Sequence, residues 1–392
     1  TDDSAGPDAP RVLYYGHYDV QPPEPFDEWN HPPFDAEIVD GPNGKRIVAR
    51  GAADDKGQLM TFIEAIRAWK DTYESLPVRV VILLEGEEES GSESLVPFLH
   101  KHKDELQADT CIVCDTGMWD PETPAITSRL RGLVYIEATL HGPSHDLHSG
   151  SYGGAVVNPA NALTEILGQL HDKDGKIQIE GFYDDVEEVS AEQIAQWNSL
   201  GDADALTLES SGSKATFGEQ GFSTLERLWS RPTCDINGLR AGYQGEGAKT
   251  VIGATATAKI SCRLVAHQKP KAIEKALFAF LEERTPVGCH WELKSFGTAP
   301  AISVPTQSPW LSAASNALTS VFPKPAVLIG TGGSIPVVGE FQEILGIDAV
   351  MVGFSLDDDL IHAPNEKFDI DCFHRGMLAQ ASILEAYANV HV

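Results

Sequence analysis

The sequence predicts an α/β protein, in which a largely parallel sheet is flanked by helices and a smaller α+β domain is inserted into the chain. Four short runs rich in β-branched and aromatic residues are apolar along most of their length, which is typical of strands buried on both faces. They span residues 11–16, 78–84, 111–114 and 349–354. Helix-like stretches separate these runs, and an alternation of strands with helices indicates an α/β domain.

Three stretches carry apolar residues at the spacing of an amphipathic helix. The clearest is 58–73, which lies between the first two apolar runs, and the same pattern occurs at 311–322 and 372–388. Because both faces of a parallel sheet are buried, these segments are the expected cover of the sheet.

The middle of the chain has a different pattern, in which apolar and polar residues alternate as in antiparallel strands with one buried face. Alternating strands are predicted at 133–140, in two stretches of 250–265 around Gly253 and at 290–296, and helices at 158–171 and 271–284. This order describes a compact α+β domain. Residues 172–247 form a long insertion in that domain, rich in glycine and acidic residues.

Length and charge bound the class of protein. At about 150 residues per domain, 392 residues favour two domains. The 29 Lys and Arg against 58 Asp and Glu give a formal charge of −29. Such a chain should repel nucleic acids and anionic membranes, since both are bound through basic residues. No apolar run approaches the roughly 20 residues that a membrane helix needs. Most of the acidity is therefore interpreted as surface charge that favours solubility.

Six cysteines are too few for a disulfide scaffold in a chain of this length. Cys111 and Cys114 form a lone C-x-x-C pair inside a predicted strand, and we interpret them as buried thiols rather than zinc ligands. The first ten residues are polar and contain no signal peptide. We predict a cytoplasmic protein, and we expect further residues upstream because a core strand begins after only ten loop-like residues.

Histidines and carboxylates follow the predicted strands, and ligands of open α/β sheets bind beyond the carboxyl ends of the strands. These positions are His17 and Asp19 after the first run, 85–91 after the second, Asp115 after the third, 357–362 after the last, and 51–57 before the first helix. Two histidines with several carboxylates suit Zn²⁺, Mn²⁺ or Co²⁺, and a shared carboxylate allows two metals. Because His17 and Asp19 are two residues apart on an extended chain, Asp19 can orient the His17 ring.

Each of these features also has an ordinary explanation. An isolated H-x-D sequence usually carries no function, and an acidic run is usually a solvated loop. Asp54 and Asp55 are well placed to cap the helix that follows them, and His362 alone is compatible with a surface position. Their occurrence at successive strand ends favours the metal site, because independent surface charges need not fall there.

Together these residues resemble the M20 family of metallopeptidases, and most of all its dipeptidase branch of the carnosinase and nonspecific-dipeptidase type. The matching segments occur in family order along nearly the whole chain: YYGHYDVQP (14–22), ARGAADDKGQ (49–58), LEGEEESGSESL (84–95), CDTGMW (114–119), DLHSGSYGG (146–154), KTVIGATATAKISCRL (249–264), GGSIPVVGEFQE (332–343) and HAPNEKF (362–368). The family has a longer segment before its first metal histidine than the 16 residues that precede His17. The resemblance therefore also predicts a missing N-terminal segment.

The resemblance implies roles for individual residues. The ligands of a two-zinc centre, in which Asp54 bridges the metals, are His17, Asp54, Glu89, Asp115 and His362. The Asp54–Asp55 peptide bond is expected to be cis. Glu88 resembles the general base that takes a proton from water and returns it to the departing amine. His148 resembles a residue that reaches across a dimer to the scissile carbonyl oxygen.

The resemblance further implies a clamp for the substrate carboxylate, made by Arg263, Thr250, Gly333 and Ser334. Arginine suits this role because it binds a carboxylate through two parallel hydrogen bonds. A histidine that the family often has near the return to the catalytic domain has no counterpart in 296–300. In the family, aspartate at the position of Asp115 goes with dipeptidases and aminopeptidases, whereas glutamate goes with carboxypeptidases and deacylases.

The predicted function is that of a cytosolic dizinc dipeptidase for small peptides. The resemblance implies a catalytic domain of residues 1–130 and 300–392, and a ferredoxin-like lid domain of residues 131–299 through which a homodimer forms. One alternative is an N-acyl-amino-acid amidohydrolase on the same metal site. A non-catalytic metal-binding or peptide-binding protein is a second alternative, which is disfavoured because Glu88 and all five ligand positions are filled. A third is an inactive fragment, if the N-terminal segment is truly absent.

Overall fold

A computed structural model describes residues 1–333 and 335–391, which fold into two compact units. The first unit comprises Thr1–Ser128, Val304–Ile329 and Val337–Val392, and the second comprises Arg129–Ser303 and Gly330–Pro336. In the part of the chain that the structure describes, no helix combines the length and the apolarity needed to cross a membrane.

The chain forms sixteen strands in the described residues. They are β1 (Arg11–His17), β2 (Glu37–Gly41), β3 (Gly44–Val48), β4 (Arg79–Glu85), β5 (Thr110–Val113), β6 (Ala125–Leu130), β7 (Gly132–His141), β8 (Leu147–His148), β9 (Thr233–Ala241), β10 (Val251–Ile252), β11 (Thr255–Leu264), β12 (His290–Ala299), β13 (Ile302–Ser303), β14 (Val327–Thr331), β15 (Ala349–Val352) and β16 (Lys367–Asp369).

The same residues form twelve α-helices. They are α1 (Lys56–Tyr73), α2 (Leu95–Lys101), α3 (Lys103–Leu106), α4 (Ser149–Tyr152), α5 (Pro159–Leu167), α6 (Ala191–Asn198), α7 (Ala203–Ser211), α8 (Thr224–Trp229), α9 (Pro270–Glu282), α10 (Pro309–Val321), α11 (Pro336–Glu340) and α12 (Ile370–Tyr387). A π-helical segment, Phe341–Leu345, continues α11.

The first unit has the predicted α/β fold. The central strands of its main sheet follow the order β6-β15-β5-β1-β4. β1 runs parallel to β4 and β5, and β15 runs parallel to β5, whereas β6 is antiparallel to β15. The largely parallel sheet is therefore confirmed. β1 and β5 are continuously buried, because neighbouring strands flank them and helices cover the sheet.

Helix α1 follows the predicted pattern and connects the core to the edge of the sheet. It buries Leu59, Phe62 and Ala65, and the Phe62 ring stacks on Tyr14 of β1 with 4.4 Å between ring centroids. It also packs along α12, with Thr61 beside Gly376 and Trp69 Nε1 donating to the Ala381 carbonyl oxygen, and α12 packs against α10. This packing fixes the start of α1, directly after Asp55, beside the carboxyl end of β1.

The second unit contains a four-stranded antiparallel sheet of order β12-β7-β11-β9. β7 alternates strictly between buried and partly buried residues, as predicted, and its buried face packs with α5 and α9 into one apolar cluster. The predicted pair of strands around Gly253 is present as β10 and β11, of which β11 joins this sheet and the short β10 pairs with β8.

The missing strand of this sheet is β9, which lies in the segment that the sequence indicated as an insertion. Its sequence, TCDINGLRA, buries only Cys234 fully. An edge strand faces a neighbour on one side only, so polar and glycine residues are tolerated there and no clear alternation marks it. The remainder of the insertion contains α6, α7 and α8.

Cys111 and Cys114 are free, buried thiols on β5 and directly after it. Their interpretation as core residues is confirmed. Burial in this apolar environment raises the pKa of both thiols well above the usual range, which keeps them protonated.

Candidate metal centre

Five side chains of the first unit meet beyond the carboxyl ends of its parallel strands. His17 is the last residue of β1, Asp115 follows β5, and Glu89 lies in a short 3-10 turn after β4. Asp54 precedes α1, and His362 lies between β15 and β16. Because β1 and β4 pair in parallel with His17 opposite Glu85, both strands deliver their following residues to the same edge.

Asp54 lies between the two histidines. Its Oδ1 is 3.0 Å from His17 Nε2, and its Oδ2 is 2.9 Å from His362 Nε2. Two groups of ligand atoms result, each with all atoms within 4.8 Å of one another, and Asp54 belongs to both: His17, Asp54 and Asp115; and Asp54, Glu89 and His362. A carboxylate that offers one oxygen to each group has the arrangement of a bridge between two cation positions.

The donor set fits divalent cations. Each group combines one histidine nitrogen with carboxylate oxygens, a mixture that suits Zn²⁺, Mn²⁺ and Co²⁺. Glu89 adds an independent sign, because its Oε1 is buried and accepts no hydrogen bond from the described residues, although it lies 3.4 Å from His362 Nε2. Buried carboxylate oxygens without a donor are rare in proteins, and a cation would satisfy this one.

The electrostatics of the cluster agree with this reading. Burial alone would lower the pKa of His17, but its hydrogen bond to Asp54 and the nearby charges of Asp55 and Asp115 raise it to about 10. Burial raises the pKa of Asp115 well above the usual range, and repulsion from the Asp54 carboxylate adds to this effect. The carboxylates are thus crowded together with too little positive charge, a situation that favours a bound cation.

Asp19 and Gln21 contact two of the candidate ligands, His17 and Glu89. The Oδ1 atom of Asp19 is 3.3 Å from His17 Nδ1, whose other neighbour is the Asp19 carbonyl oxygen at 3.2 Å. Asp19 Oδ2 also accepts the Glu89 backbone N–H at 3.0 Å, and Gln21 Nε2 donates to Glu89 Oε2 at 2.6 Å. These contacts at Nδ1 leave the His17 Nε2 atom to face Asp54, as expected for a metal-binding histidine held by a carboxylate.

The alternative that Asp54 and Asp55 only cap α1 does not fit the structure. Asp55 is the residue before the helix, but its side chain makes no capping hydrogen bond. Its Oδ2 instead accepts the His17 backbone N–H at 3.1 Å. The Asp54–Asp55 peptide bond is cis, as the resemblance implied.

Glu88 is partly buried next to the candidate ligand Glu89. Burial is the main cause that raises the pKa of its carboxyl to about 6; His17 opposes the shift, and Glu89 and Asp54 add to it. A carboxylate with this pKa is ionised near neutral pH and still basic enough to take up a proton during a reaction.

Four of the remaining predicted site residues lie in the second unit: His148, Thr250, Arg263 and Gly333. His148 ends β8, and its Nδ1 accepts the Gly150 backbone N–H at 3.0 Å, so that a neutral ring carries its proton on Nε2. β8 pairs with β10, and the Ser149 backbone N–H donates to the Thr250 carbonyl oxygen at 3.2 Å, which brings His148 and Thr250 close together.

Arg263 lies elsewhere in that unit, on β11 of the four-stranded sheet, where it is paired with Leu133 on one side and Thr233 on the other. Gly333 follows β14, with its backbone N–H 3.4 Å from Thr331 Oγ1. Ser334, the last member of the predicted clamp, lies outside the described residues.

Three residues near the ligands were missed by reasoning from the sequence: Gln21, Glu366 and Lys367. Gln21 holds Glu89, and the other two are buried charged residues between His362 and α12. Glu366 and Lys367 belong to the segment HAPNEKF, so the resemblance included them without giving them a role. The only signal in the residues themselves is that two charges directly precede the apolar start of a core element.

The model of "Peptidase family M20/M25/M40" matches residues 13–386. The chain belongs to this family. The resemblance to the M20 family is thereby confirmed. The resemblance to its dipeptidase branch is confirmed by two relatives. Cys-Gly metallodipeptidase DUG1 of Saccharomyces cerevisiae is 33% identical over 97% of this chain and 80% of its own length. The Beta-Ala-His dipeptidase of Homo sapiens is 31% identical over 97% of this chain and 75% of its own length.

Solved structures also superpose on nearly the whole of this chain. The M20 family metallo-carboxypeptidase Sso-CP2 from Sulfolobus solfataricus superposes with a TM-score of 0.81 at 33% identity, covering 97% of this chain and 86% of its own. Human carnosine dipeptidase 1 superposes with a TM-score of 0.77 at 29% identity, covering 98% of this chain and 82% of its own.

Proposed function

We propose that the protein is a two-metal dipeptidase, which hydrolyses the peptide bond of dipeptides or other short peptides. The observation that carries this proposal is the position of Asp54, with one carboxylate oxygen 3.0 Å from His17 and the other 2.9 Å from His362. The names of two relatives, a Cys-Gly metallodipeptidase and a Beta-Ala-His dipeptidase, support the substrate class.

The metal assignment follows the two ligand groups. His17, Asp54 and Asp115 would hold one cation, and Asp54, Glu89 and His362 would hold the other. Zn²⁺ is our first choice, with Mn²⁺ and Co²⁺ as alternatives that the same donors accept. When bound, such cations polarise a carbonyl group and lower the pKa of water.

The protein's own residues would then move protons and stabilise charge. Glu88 takes a proton from the attacking water and delivers it to the departing amine, a role that its raised pKa of about 6 supports. His148 donates its Nε2–H to the carbonyl oxygen as negative charge develops there. Asp19 keeps the His17 ring in the orientation needed for metal binding.

The substrate carboxylate would be bound in the second unit. Arg263 supplies the charge, and Thr250, Gly333 and Ser334 supply further polar contacts. We further propose that this unit, with its four-stranded antiparallel sheet and two packed helices, is a ferredoxin-like lid that also forms a homodimer. In such a dimer His148 would act on a substrate held by the other copy. Cytoplasmic location stays a prediction from the sequence.

A second candidate function is a metallo-carboxypeptidase that removes the last residue of longer peptides. It is favoured by the likeness to Sso-CP2, a protein described as a metallo-carboxypeptidase. Asp115 favours the dipeptidase, because the family resemblance associates aspartate at this position with dipeptidases. The third activity to be tested is that of an N-acyl-amino-acid amidohydrolase, which would use the same metal site.

One substrate panel separates the three activities. The purified protein is loaded with Zn²⁺, Mn²⁺ or Co²⁺, its metal content per chain is measured, and it is incubated with three sets of compounds: dipeptides with a free amino group, including Cys-Gly and β-Ala-His; N-acetyl amino acids; and N-acetylated pentapeptides. We expect two metal ions per chain and hydrolysis of the free dipeptides. Cleavage of the acetylated amino acids alone would identify a deacylase, and release of the last residue from the pentapeptides a carboxypeptidase.

A further inference from the structure

Two consecutive charged residues of the first unit, Glu366 and Lys367, are buried, with 0% and 2% of their surfaces exposed. They lie just before and at the start of β16. A buried charge is strongly unfavourable unless it is paired and hydrogen-bonded. Their partners therefore show what these two residues hold in place.

The Glu366 carboxylate binds the turn that precedes α1. Its Oε1 accepts the backbone N–H groups of Ala53 and Asp54, both at 2.9 Å. Its Oε2 accepts the Gly51 N–H and the Arg50 Nη1–H, both at 2.8 Å. Four hydrogen bonds saturate the carboxylate, and three of them come from the backbone of one short turn. The last residue of that turn is Asp54, which faces both histidines of the candidate metal centre.

The Lys367 ammonium binds a different loop. Its Nζ lies 2.6 Å from Asp359 Oδ1, 2.9 Å from Asp358 Oδ1 and 3.2 Å from Asp369 Oδ1. The Lys367 backbone N–H also donates to the Asp359 carbonyl oxygen at 3.0 Å. Asp358 and Asp359 belong to the loop that leads to His362. Lys367 thus anchors that loop at a point three residues before the histidine.

The backbone of His362 shows why such an anchor is needed. Its φ is +62°, in the left-handed region that residues with a side chain adopt at a cost. A residue keeps this conformation only when the surrounding structure holds it. Leu360 and Asn365, on either side, also have positive φ values of 55° and 66°. The loop therefore depends on its fixed ends, and Lys367 with its three carboxylate partners is one of them.

We propose that Glu366 and Lys367 are positioning residues for the two-metal centre, Glu366 through the Asp54 turn and Lys367 through the His362 loop. This inference rests on the proposed metal function. Neither side chain belongs to the two ligand groups. The two residues differ in reach, because Asp54 belongs to both groups and His362 to only one. Loss of Glu366 should weaken the binding of both cations, whereas loss of Lys367 should weaken the binding of one.

The test compares Glu366→Gln and Lys367→Met with wild type. Two exposed residues of the same unit provide matched controls, Glu385→Gln and Lys101→Met. Metal content after dialysis and the dissociation constants of Zn²⁺, from competition with a chromophoric chelator, are measured for each protein. Removing a group that orients metal ligands costs about 10–100-fold in metal affinity. We expect this loss for both sites in Glu366→Gln and for one site in Lys367→Met, with the controls at the wild-type values.

A merely structural role would give a different result. It would lower the unfolding temperature measured in excess chelator, but the folded protein would bind two Zn²⁺ ions with unchanged dissociation constants, and that result would overturn the proposal. Equal weakening of both sites by both variants would overturn the assignment of Lys367 to the His362 loop. If wild type itself binds no metal, the proposed function fails instead.

Milder variants cover the case in which the first ones do not fold. Glu366→Asp shortens the carboxylate that binds the turn, and Asp358→Asn removes one charge from the Lys367 contacts while Asp358 itself is exposed. The same dissociation constants are measured, and the same pattern is expected at a smaller amplitude, with two sites affected in the first variant and one in the second. Wild-type dissociation constants in both milder variants would reject the proposal.

Discussion

The two units bury different kinds of side chain. Among the described residues of the first unit, nine acidic, basic or histidine residues are buried: His17, Arg50, Asp54, Asp55, Glu85, Asp359, Glu366, Lys367 and Asp369. Among the described residues of the second unit, Arg131 is the one charged residue in this class. The second unit is held mainly by an apolar cluster between its sheet and its helices. In the first unit, charged side chains whose burial is unfavourable lie around the ends of the strands. Such an arrangement is expected where a protein binds cations.

Arg131 shows how an isolated buried charge is accommodated. Its Nη2 atom donates to the carbonyl oxygen of Arg231 at 2.6 Å and to that of Arg227, near the end of α8. Burial is the main cause that lowers the pKa of Arg131 to about 10, and repulsion from Arg263 adds to it. The hydrogen bonds of Arg131 thus go to backbone oxygens of its own unit, and the nearby charge of Asp235 favours its charged form. The comparison predicts that cations stabilise the first unit and leave the second unchanged.

The largest expected effect concerns the chemistry of the first unit. Glu88→Gln keeps the size of the side chain but cannot take up a proton, so we expect kcat to fall by about 10²–10⁴-fold. Metal content should stay at the wild-type value, because Glu88 is in neither ligand group. Steady-state kinetics and metal analysis check this, with the exposed Glu93→Gln as control. Full turnover by Glu88→Gln would contradict the mechanism.

The second prediction concerns metal removal. At cation concentrations of 100 to 1,000 times the dissociation constant, binding stabilises a folded unit by about 3–4 kcal/mol. Chelation should remove this amount from the first unit only. Hydrogen exchange of peptides from β1 and from β11 measures the two units in one sample. Faster exchange in β1 with unchanged β11 is expected, and an equal change in both would show that the cations stabilise the two units together.

The contrast between the units also explains what the sequence could predict. The strands of the first unit were predictable because burial on both faces makes them continuously apolar, as in β1 and β5. Most of the candidate ligand positions were predictable because they follow those strands, and the family resemblance added Asp54 before α1. β9 could not be predicted, since an edge strand with one fully buried residue has no periodic pattern.

Glu366 illustrates the limit for the candidate site. A glutamate near the end of a chain normally indicates a solvated position. Its burial depends on backbone N–H groups that lie more than 300 positions away in the sequence, in the turn before α1. Such donors are invisible in the sequence because every residue except proline has one. Strand ends and the family resemblance were enough to predict the candidate ligands, but the groups that hold them required the fold.

The third prediction concerns Arg131, the buried charged residue of the second unit. Arg131→Met removes the donor from two carbonyl oxygens near the end of α8, and leaving buried acceptors unsatisfied costs about 1–3 kcal/mol. This loss should appear in hydrogen exchange of β11 and leave the metal dissociation constants unchanged. The exposed Arg240→Met of the same unit is the control. A change in metal affinity would mean that the second unit takes part in cation binding.

The smallest expected effects concern surface carboxylates, which should behave alike in both units. Hydrogen bonds from Ser4 are the main cause that lowers the pKa of Asp2, in the first unit, to about 2, and Lys70 contributes less. Hydrogen bonds from the backbone, the first of them from Lys176, lower the pKa of Asp172 in the second unit. A carboxyl with a lowered pKa stabilises the fold above its unfolded pKa, near 4, and the stabilisation is lost as the pH falls towards the folded value.

Asp2→Asn should therefore cost under about 1 kcal/mol at pH 7, because the hydrogen bonds with Ser4 and the contact with Lys70 are exposed to solvent, which screens them. The difference from wild type in urea unfolding should shrink as the pH falls from 5 to 3. Asp172→Asn should have a small effect on the second unit, and its difference from wild type should likewise shrink as the pH falls. If one of these variants had a much larger effect than the other, surface charge would also distinguish the units. Equal and small effects would leave the buried charges around Asp54 and Lys367 as the difference that matters.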